Sequence, residues 1–456
     1  MQIKFLGATR HVTGSNYLIT LDNGDQYLVD CGMFQGSHVL EDMNAQPFSY
    51  DPADIKTLLI THAHLDHTGR IPKLIKEGFT GEIVATHATR DLTQIVLEDT
   101  VRLMDEEAER ENTVPLYDAS DVAGIFNLDW HFVEYDREVT IGTGVTARYW
   151  DAGHILGSAS IQIRADGQTV TFSGDIGNPP APLIDKPHPV DATDILVIES
   201  TYGGRIHEPP EKRVTQLHDA IVDTLSRGGT LMIPTFAIER AQELIYEING
   251  LIASHHIPNI PVYLDSPMAI KATRVFKHYA VLYNRTDKQR ALHEDILTFP
   301  GLTLTQTVQA SKQINTVKGP KIIMAGAGMM HGGRILHHAI RYLPDDRSML
   351  LIVGYQVEGS IGRRLLDGEK SVKIHGDIVS VHARVKAIGA YSAHADQPGL
   401  LHYIDSIAGK PNTIYITHGE YDQQQILAGK ITDQFGISTV IPAFGEMFDN
   451  KKPASY

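Results

Sequence analysis

The sequence predicts an α/β protein: two packed sheets with outer helices, plus a second α/β unit built on a parallel sheet. Three observations predict it. Short strands separated by Gly and Asp/Asn turns fill the first 60 residues and recur over 130–201. After Tyr202-Gly203-Gly204 strands and helices alternate regularly, the pattern of a parallel sheet with helices on both faces. The alternation resumes over 390–456.

Taken in order, IKFLG, NYLITL and YLVDCG are strands, with Asn23-Gly24 as a hairpin signal. IKTLLI is a mostly apolar strand, followed by a helix over 68–76 and a long polar helix over 88–111. WHFVEY, VTARYWDAG, ASIQIRA and QTVTFSGD restore strand character, and DILVIEST is another strand of buried type. In the second unit a helix over 210–226 leads to strand TLMIPT, helix AIERAQELIYEING, strand PVYLD and a helix over 267–281. Strand KIIMAG, helix GRILHHAIRYL and strand SMLLIVGY follow. The chain then alternates HADQPGLLHYIDSI, NTIYITHG, QQQILAGKITDQF and STVIPAF as helix, strand, helix and strand. The expected domain spans are 1–203, 204–389 and 390–456.

Composition narrows the function classes. Hydrophobic residues are 42% and charged residues 21%, enough for a large core. The net charge of −15, from 40 Lys+Arg against 55 Asp+Glu, argues against coating nucleic acid by bulk charge but leaves room for a local basic channel. No apolar run approaches the roughly 18 residues of a membrane span, and MQIKFLGATR lacks a signal-peptide core. A cytoplasmic location is expected. The one cysteine, Cys31, excludes an internal disulfide and a Cys-based zinc finger, and reads as a small buried residue inside an apolar strand. Histidine is abundant, at 23 residues.

The strongest local signal is His62-Ala63-His64-Leu65-Asp66-His67, directly after IKTLLI. Four ligand-type side chains at a strand's C-terminal end can wrap a cation, and His64 and Asp66 can face different ions. Imidazole and carboxylate without thiolate suit zinc, and also manganese or iron. Asp151-Ala152-Gly153-His154, Phe172-Ser173-Gly174-Asp175 and Thr417-His418-Gly419 each place a ligand-type residue just past a strand, beside glycine that permits close backbone approach.

HxHxDH, a later His, a later Asp and a final His resemble the metallo-β-lactamase superfamily. Asp30 in LVDCG matches that family's first motif, where the residue orients a ligand rather than binding metal. The resemblance implies an αββα sandwich with two zinc ions, held by His62, His64 and His154 on one side and Asp66, His67 and His418 on the other, with Asp175 between them. Glu199-Ser200-Thr201-Tyr202-Gly203, Ser392-Ala393-His394-Ala395-Asp396 and His418 match motifs A, B and C of the β-CASP group, the nucleases that include RNase J and the polyadenylation-factor endonuclease. LVDCGMFQG, IPTFAIERAQEL, YLDSPMA, GGRILHH and GYQVEGSIGRRLLDG look like further segments of that group. The fold implied is therefore the αββα sandwich with an inserted parallel-sheet β-CASP domain, in the group's short bacterial form.

The activity implied is a metal-dependent ribonuclease that attacks RNA phosphodiesters with a hydroxide activated by two metals, leaving 5′-phosphate and 3′-hydroxyl ends. His394 is the candidate general acid and Glu199 its orienting partner. Asp66 and Asp175 belong to the same catalytic set. Single-stranded RNA is the expected partner, no membrane is involved, and homodimerisation stays open. For substrate contacts, Lys271 and Arg274 lie in the basic segment 266–290, with Phe276, Tyr279 and Tyr283 interleaved, as a stacking and charge surface would require. Arg240 near a helix start, and His331 in the loop Gly326-Ala327-Gly328-Met329-Met330-His331-Gly332-Gly333-Arg334, are further phosphate candidates. His11 stands where related GAxREVTGS segments carry an acid, and no function is attached to it.

Other functions are weighed by the same motifs. A thioesterase or lactonase of this fold would need no inserted domain. A flavodiiron oxidoreductase resembles HxExDH, whereas His64 fills the Glu position here. A DNA nuclease of the group differs at motif C, where this chain has His418. An inactive scaffold would have lost metal ligands, and all seven candidates are present.

Overall fold

The computed structural model describes residues 1–354, 356 and 359–449; Tyr355, Val357 and Glu358, inside GYQVEGSIGRRLLDG, and the chain from Asn450 lie outside the described residues. The chain divides into two compact units. The first comprises Met1–Pro179, Lys186–Ile206 and the segment that starts at His394. The second comprises Pro180–Asp185 and His207–Ala393. Residues 180–185, expected in the first unit, join the second because Asp287 Oδ2 accepts from Leu183 N at 3.1 Å and Leu183 O accepts from Asn284 N at 2.6 Å.

In the first unit the described strands form two seven-stranded sheets. One runs Met447–Asp449, Gln2–Phe5, Tyr17–Thr20, Gln26–Val29, Ile55–Leu59, Glu82–Ala85, Trp130–Phe132. The other runs Ser438–Val440, Thr413–Ile416, Ile195–Ile198, Gln168–Phe172, Ala159–Ala165, Val145–Asp151, Glu138–Gly142. Side chains alternate across a strand, and each central strand feeds two cores. Leu59, Val84, Val197 and Tyr415 point into the layer between the sheets, with Phe5, Tyr149, Ile161 and Phe172. Their neighbours Leu58 and Ile83 pack outward against Ile71, Leu74 and Leu97 of the helices. Leu196, Ile198 and Ile416 pack outward against Leu400, Ile404 and Leu427. Burial on both faces is why these strands read as continuous apolar runs.

The helix expected over 68–76 is two helices, Leu65–Thr68 and Ile71–Lys76. A side chain at Gly69 would meet Leu65 O and Met33 Cβ, so a close approach fixes the break. Arg70 there donates from Nε to Gly32 O at 2.5 Å and stacks on Phe34 at 4.5 Å. Cys31 is fully buried, but past the end of strand Gln26–Val29 rather than within it.

The second unit holds a six-stranded, wholly parallel sheet in the order Leu302–Leu304, Val262–Asp265, Lys321–Ala325, Thr230–Pro234, Met349–Ile352, Arg384–Ala387. Its three central strands are buried at every residue, which requires cover on both faces. A small hairpin, Ser371–Ile374 with Asp377–Ser380, lies beside it. At the C-terminal end of one strand Asp265 is fully buried. It accepts from Arg334 Nη1 at 2.7 Å, Thr305 Oγ1 at 2.7 Å and Ser311 Oγ at 2.6 Å, and lies 2.8 Å from His338 Nε2. Burial alone would raise the Asp265 pKa, but these donors hold it down at about 2.

That carboxylate yields a signed prediction. A depressed pKa contributes stability that is full above the unfolded value and lost as pH falls through about 2. Asp265→Ala should destabilise the protein by about 3–5 kcal/mol near neutral pH, the usual result of removing one partner of a buried ion pair. Denaturation of parent and variant should show that penalty shrinking below about pH 4. A penalty independent of pH would contradict the assignment.

Candidate metal centre

The candidate site forms in the first unit, where strand ends from both sheets meet. Strands Gln26–Val29 and Ile55–Leu59 are parallel neighbours in register Val29 to Leu59. Asp30 and the loop from Thr61 therefore leave the sheet side by side. In the other sheet Phe172 pairs with Val197 and Ile198 with Ile416, both parallel. Asp175, Glu199 and His418 thus emerge at one edge. The two edges are tied by Ala159 N donating to Thr61 O at 2.9 Å and His418 N donating to Ala8 O at 2.7 Å.

Among the described residues, donor atoms of His62, His64, His154 and Asp175 lie within 4.8 Å of one another, as do those of Asp66, His67 and His418. Asp175 connects the groups. Its Oδ2 is 3.4 Å from His62 Nε2 and 3.5 Å from His154 Nε2. Its Oδ1 is 3.4 Å from His67 Nε2 and 3.5 Å from His418 Nδ1. His64 Nδ1 stands 3.1 Å from both His62 Nε2 and His154 Nε2. His418 Nε2 is 3.3 Å from Asp66 Oδ2. All seven side chains expected from the sequence therefore meet.

The donor set fits a divalent transition metal. It is imidazole and carboxylate, without thiolate. Asp175 Oδ1 is buried without a hydrogen bond, an acceptor in need of positive charge. Burial, with the His67 charge adding, pushes His62 down to about 3, and burial pushes His64 down to about 4. Both therefore stay neutral near pH 7, the form that binds metal.

Asp30 sits behind the candidate ligands with φ +56°, a left-handed conformation uncommon for a non-glycine residue. Its Oδ1 accepts from Thr61 N at 2.8 Å, and its Oδ2 accepts from Thr61 Oγ1 at 2.8 Å. The same Oδ2 is 2.7 Å from His67 Nδ1. That contact places the Nδ1 proton against Asp30 and leaves His67 Nε2 facing Asp175. His394 Nδ1 is 3.1 Å from Glu199 Oε2, and Glu199 Oε1 accepts from Ile176 N at 2.5 Å. Burial would lower the His394 pKa, but Glu199 and Asp175 outweigh it and raise it to about 9.

The expected substrate contacts are not part of this cluster. Arg240 is buried, ion-paired to Glu243 and stacked on Tyr391 at 5.0 Å, so its guanidinium serves packing within the second unit. Lys271 and Arg274 are exposed on helix Pro267–His278, but Phe276 and Tyr283 are buried, so no row of free rings accompanies them. His331 is exposed in its loop, and Arg334 at the end of that loop is bound to Asp265. His11, to which the sequence attached no function, has its pKa driven down to about 4 by burial and by the His418 charge.

Comparison with known proteins settles the family. Residues 10–199 match the metallo-beta-lactamase superfamily, 241–365 a Beta-Casp domain, and 378–442 a Zn-dependent metallo-hydrolase RNA specificity domain. A protein of Thermus thermophilus named as a ribonuclease is 37% identical over 98% of this chain and 99% of its own. The chain belongs to the metallo-beta-lactamase superfamily, in its Beta-Casp group. An RNase J-like protein of Methanocaldococcus jannaschii is 31% identical over 97% of this chain and 98% of its own. A crystal structure of an Enterococcus faecalis protein of unknown function aligns with TM-score 0.57 at 14% identity, over 98% of this chain and 99% of that one, and speaks for the fold alone. Among the described residues no helix is long and apolar enough to cross a membrane.

Two predictions follow from the geometry. Asp175→Ala should remove or greatly weaken metal binding, measured by elemental analysis after reconstitution. Asp30→Asn should keep the ligands but weaken metal affinity about 10- to 100-fold, the usual cost of losing an orienting partner. Unchanged affinity in Asp30→Asn would show that His67 needs no such partner.

Proposed function

We propose that this chain is a metal-dependent ribonuclease that hydrolyses single-stranded RNA to 5′-phosphate and 3′-hydroxyl ends. The observation that carries it is Asp175 shared between two donor groups, with the Glu199–His394 pair beside them. Full-length relatives named as a ribonuclease and as RNase J-like support RNA as the substrate. His62, His64 and His154 would hold one ion, Asp66, His67 and His418 a second, and Asp175 both. Zinc suits these donors best. When bound, such a pair neutralises phosphoryl charge and activates a water for in-line attack.

The chain's own residues do the rest. Asp30 fixes the His67 tautomer through Nδ1, leaving Nε2 for metal. Glu199, itself held by Ile176 N, fixes the ring of His394 through Nδ1. His394 would then carry a proton on Nε2, for delivery to the departing 3′ oxygen. Glu199 is a positioning residue in this scheme and His394 the acid.

RNA labelled at either end tests the reading, since products report both the cut position and the end chemistry. The parent should release 5′-phosphate ends. His394→Ala should keep its metal and slow cleavage by roughly 10²–10⁴. Loss of metal in that variant would make His394 a ligand instead.

A further inference from the structure

The loop 7–14 is pinned to the metal centre. Ala8 O accepts from His418 N at 2.7 Å, and Ser15 N donates to Asp66 O at 2.8 Å. Ala8 N closes the loop on Thr13 O at 3.0 Å. Two non-glycine residues in it hold left-handed backbone, Ala8 at φ +51° and Arg10 at φ +62°. Such conformations persist only where the surroundings enforce them, and they gather at functional sites. Arg10 is exposed, and its guanidinium carbon lies 4.9 Å from the ring centroid of Tyr421.

This pair is open to a ligand. Tyr421 is 44% exposed and stands three residues past His418, as the first residue of helix Tyr421–Phe435. Glu420 and Asp422 flank it, yet among the described residues Arg10 forms no ion pair with either or with any other carboxylate. Asp422 instead accepts from Gln423 Nε2 at 2.9 Å. Beside Arg10, His11 Nε2 is buried and has no hydrogen-bond partner. The loop therefore holds a planar cation that no carboxylate pairs and a buried ring nitrogen without a hydrogen bond, next to two candidate metal ligands.

We propose that Arg10, stacked on Tyr421, is a subsite for an RNA strand, gripping a phosphate that flanks the scissile one while the tyrosine stacks the adjoining base. The inference rests on the ribonuclease reading above. Guanidinium matches phosphate through two parallel N–H···O bonds, and a tyrosine face accepts any base. A metal centre alone recognises one phosphate. A second contact at fixed distance would select a polynucleotide over a simple phosphate ester.

The test compares single-stranded RNA with bis(p-nitrophenyl) phosphate, which has no flanking nucleotide. Arg10→Ala should raise KM for RNA about tenfold or more, with metal content and turnover of the small ester within twofold of the parent. The slope of log kcat/KM against log salt should flatten by roughly one ion. Arg10→Lys should restore the salt slope but not the full affinity, because ammonium lacks the fork. Tyr421→Ala should weaken RNA binding without changing the salt slope. A parent that cleaves RNA while Arg10→Ala keeps its KM and salt slope would overturn the subsite. A parent that cleaves the ester but not RNA would overturn the ribonuclease reading, and the subsite with it.

Discussion

A carboxylate stripped of water must find positive charge, and in this protein that demand falls on Asp175. Only 2% of it is exposed, and imidazole nitrogens approach both of its oxygens. Without a cation, protons on neighbouring rings must supply the charge. Burial opposes protonation of His67 and His418, yet Asp175 and its fellow carboxylates raise both. On the other side His62 and His154 are driven neutral, chiefly by burial. The cluster is thus split between rings that carry protons and rings that offer lone pairs. A divalent ion resolves both strains, since it satisfies the carboxylate and displaces the protons.

The fold exists to make that convergence cheap in entropy. Each side chain of the cluster leaves the end of a strand or a loop braced by one, so ligand positions are set by sheet register rather than by flexible chain. Thr61 links the layers: its backbone and hydroxyl bind Asp30, and its carbonyl receives Ala159 N from the opposite sheet. Ser200 adds a similar brace, donating from Oγ to Thr417 O at 2.7 Å. Such ties hold Glu199 and His418 in step although more than 200 residues separate them.

Much of this is legible in the sequence alone. Central strands such as IKTLLI and NTIYI are buried on both faces, so their apolar runs stand out. Edge strands Leu302–Leu304 and Arg384–Ala387 and the hairpin Ser371–Ser380 were missed because half their side chains face water and the runs are short. The residues that converge at the candidate centre were legible because HxHxDH is dense and the others follow recognisable strands. Arg240 was misread for the opposite reason. A cation near a helix start looks like a phosphate contact, and nothing local reveals Tyr391 folding back over it. Arg10 was passed over although it falls in the GAxREVTGS-like segment, since its left-handed backbone cannot be read from residue type. The interleaved rings of 266–290 failed because spacing alone did not say which faced the core.

The central claim is that Asp175 joins two cations in one site. Elemental analysis of the intact, reconstituted protein, paired with RNA cleavage before and after chelation, tests it most directly. The account predicts two divalent transition metals per chain and cleavage that disappears with them and returns on their restoration. Undiminished cleavage by protein stripped of metal would contradict it.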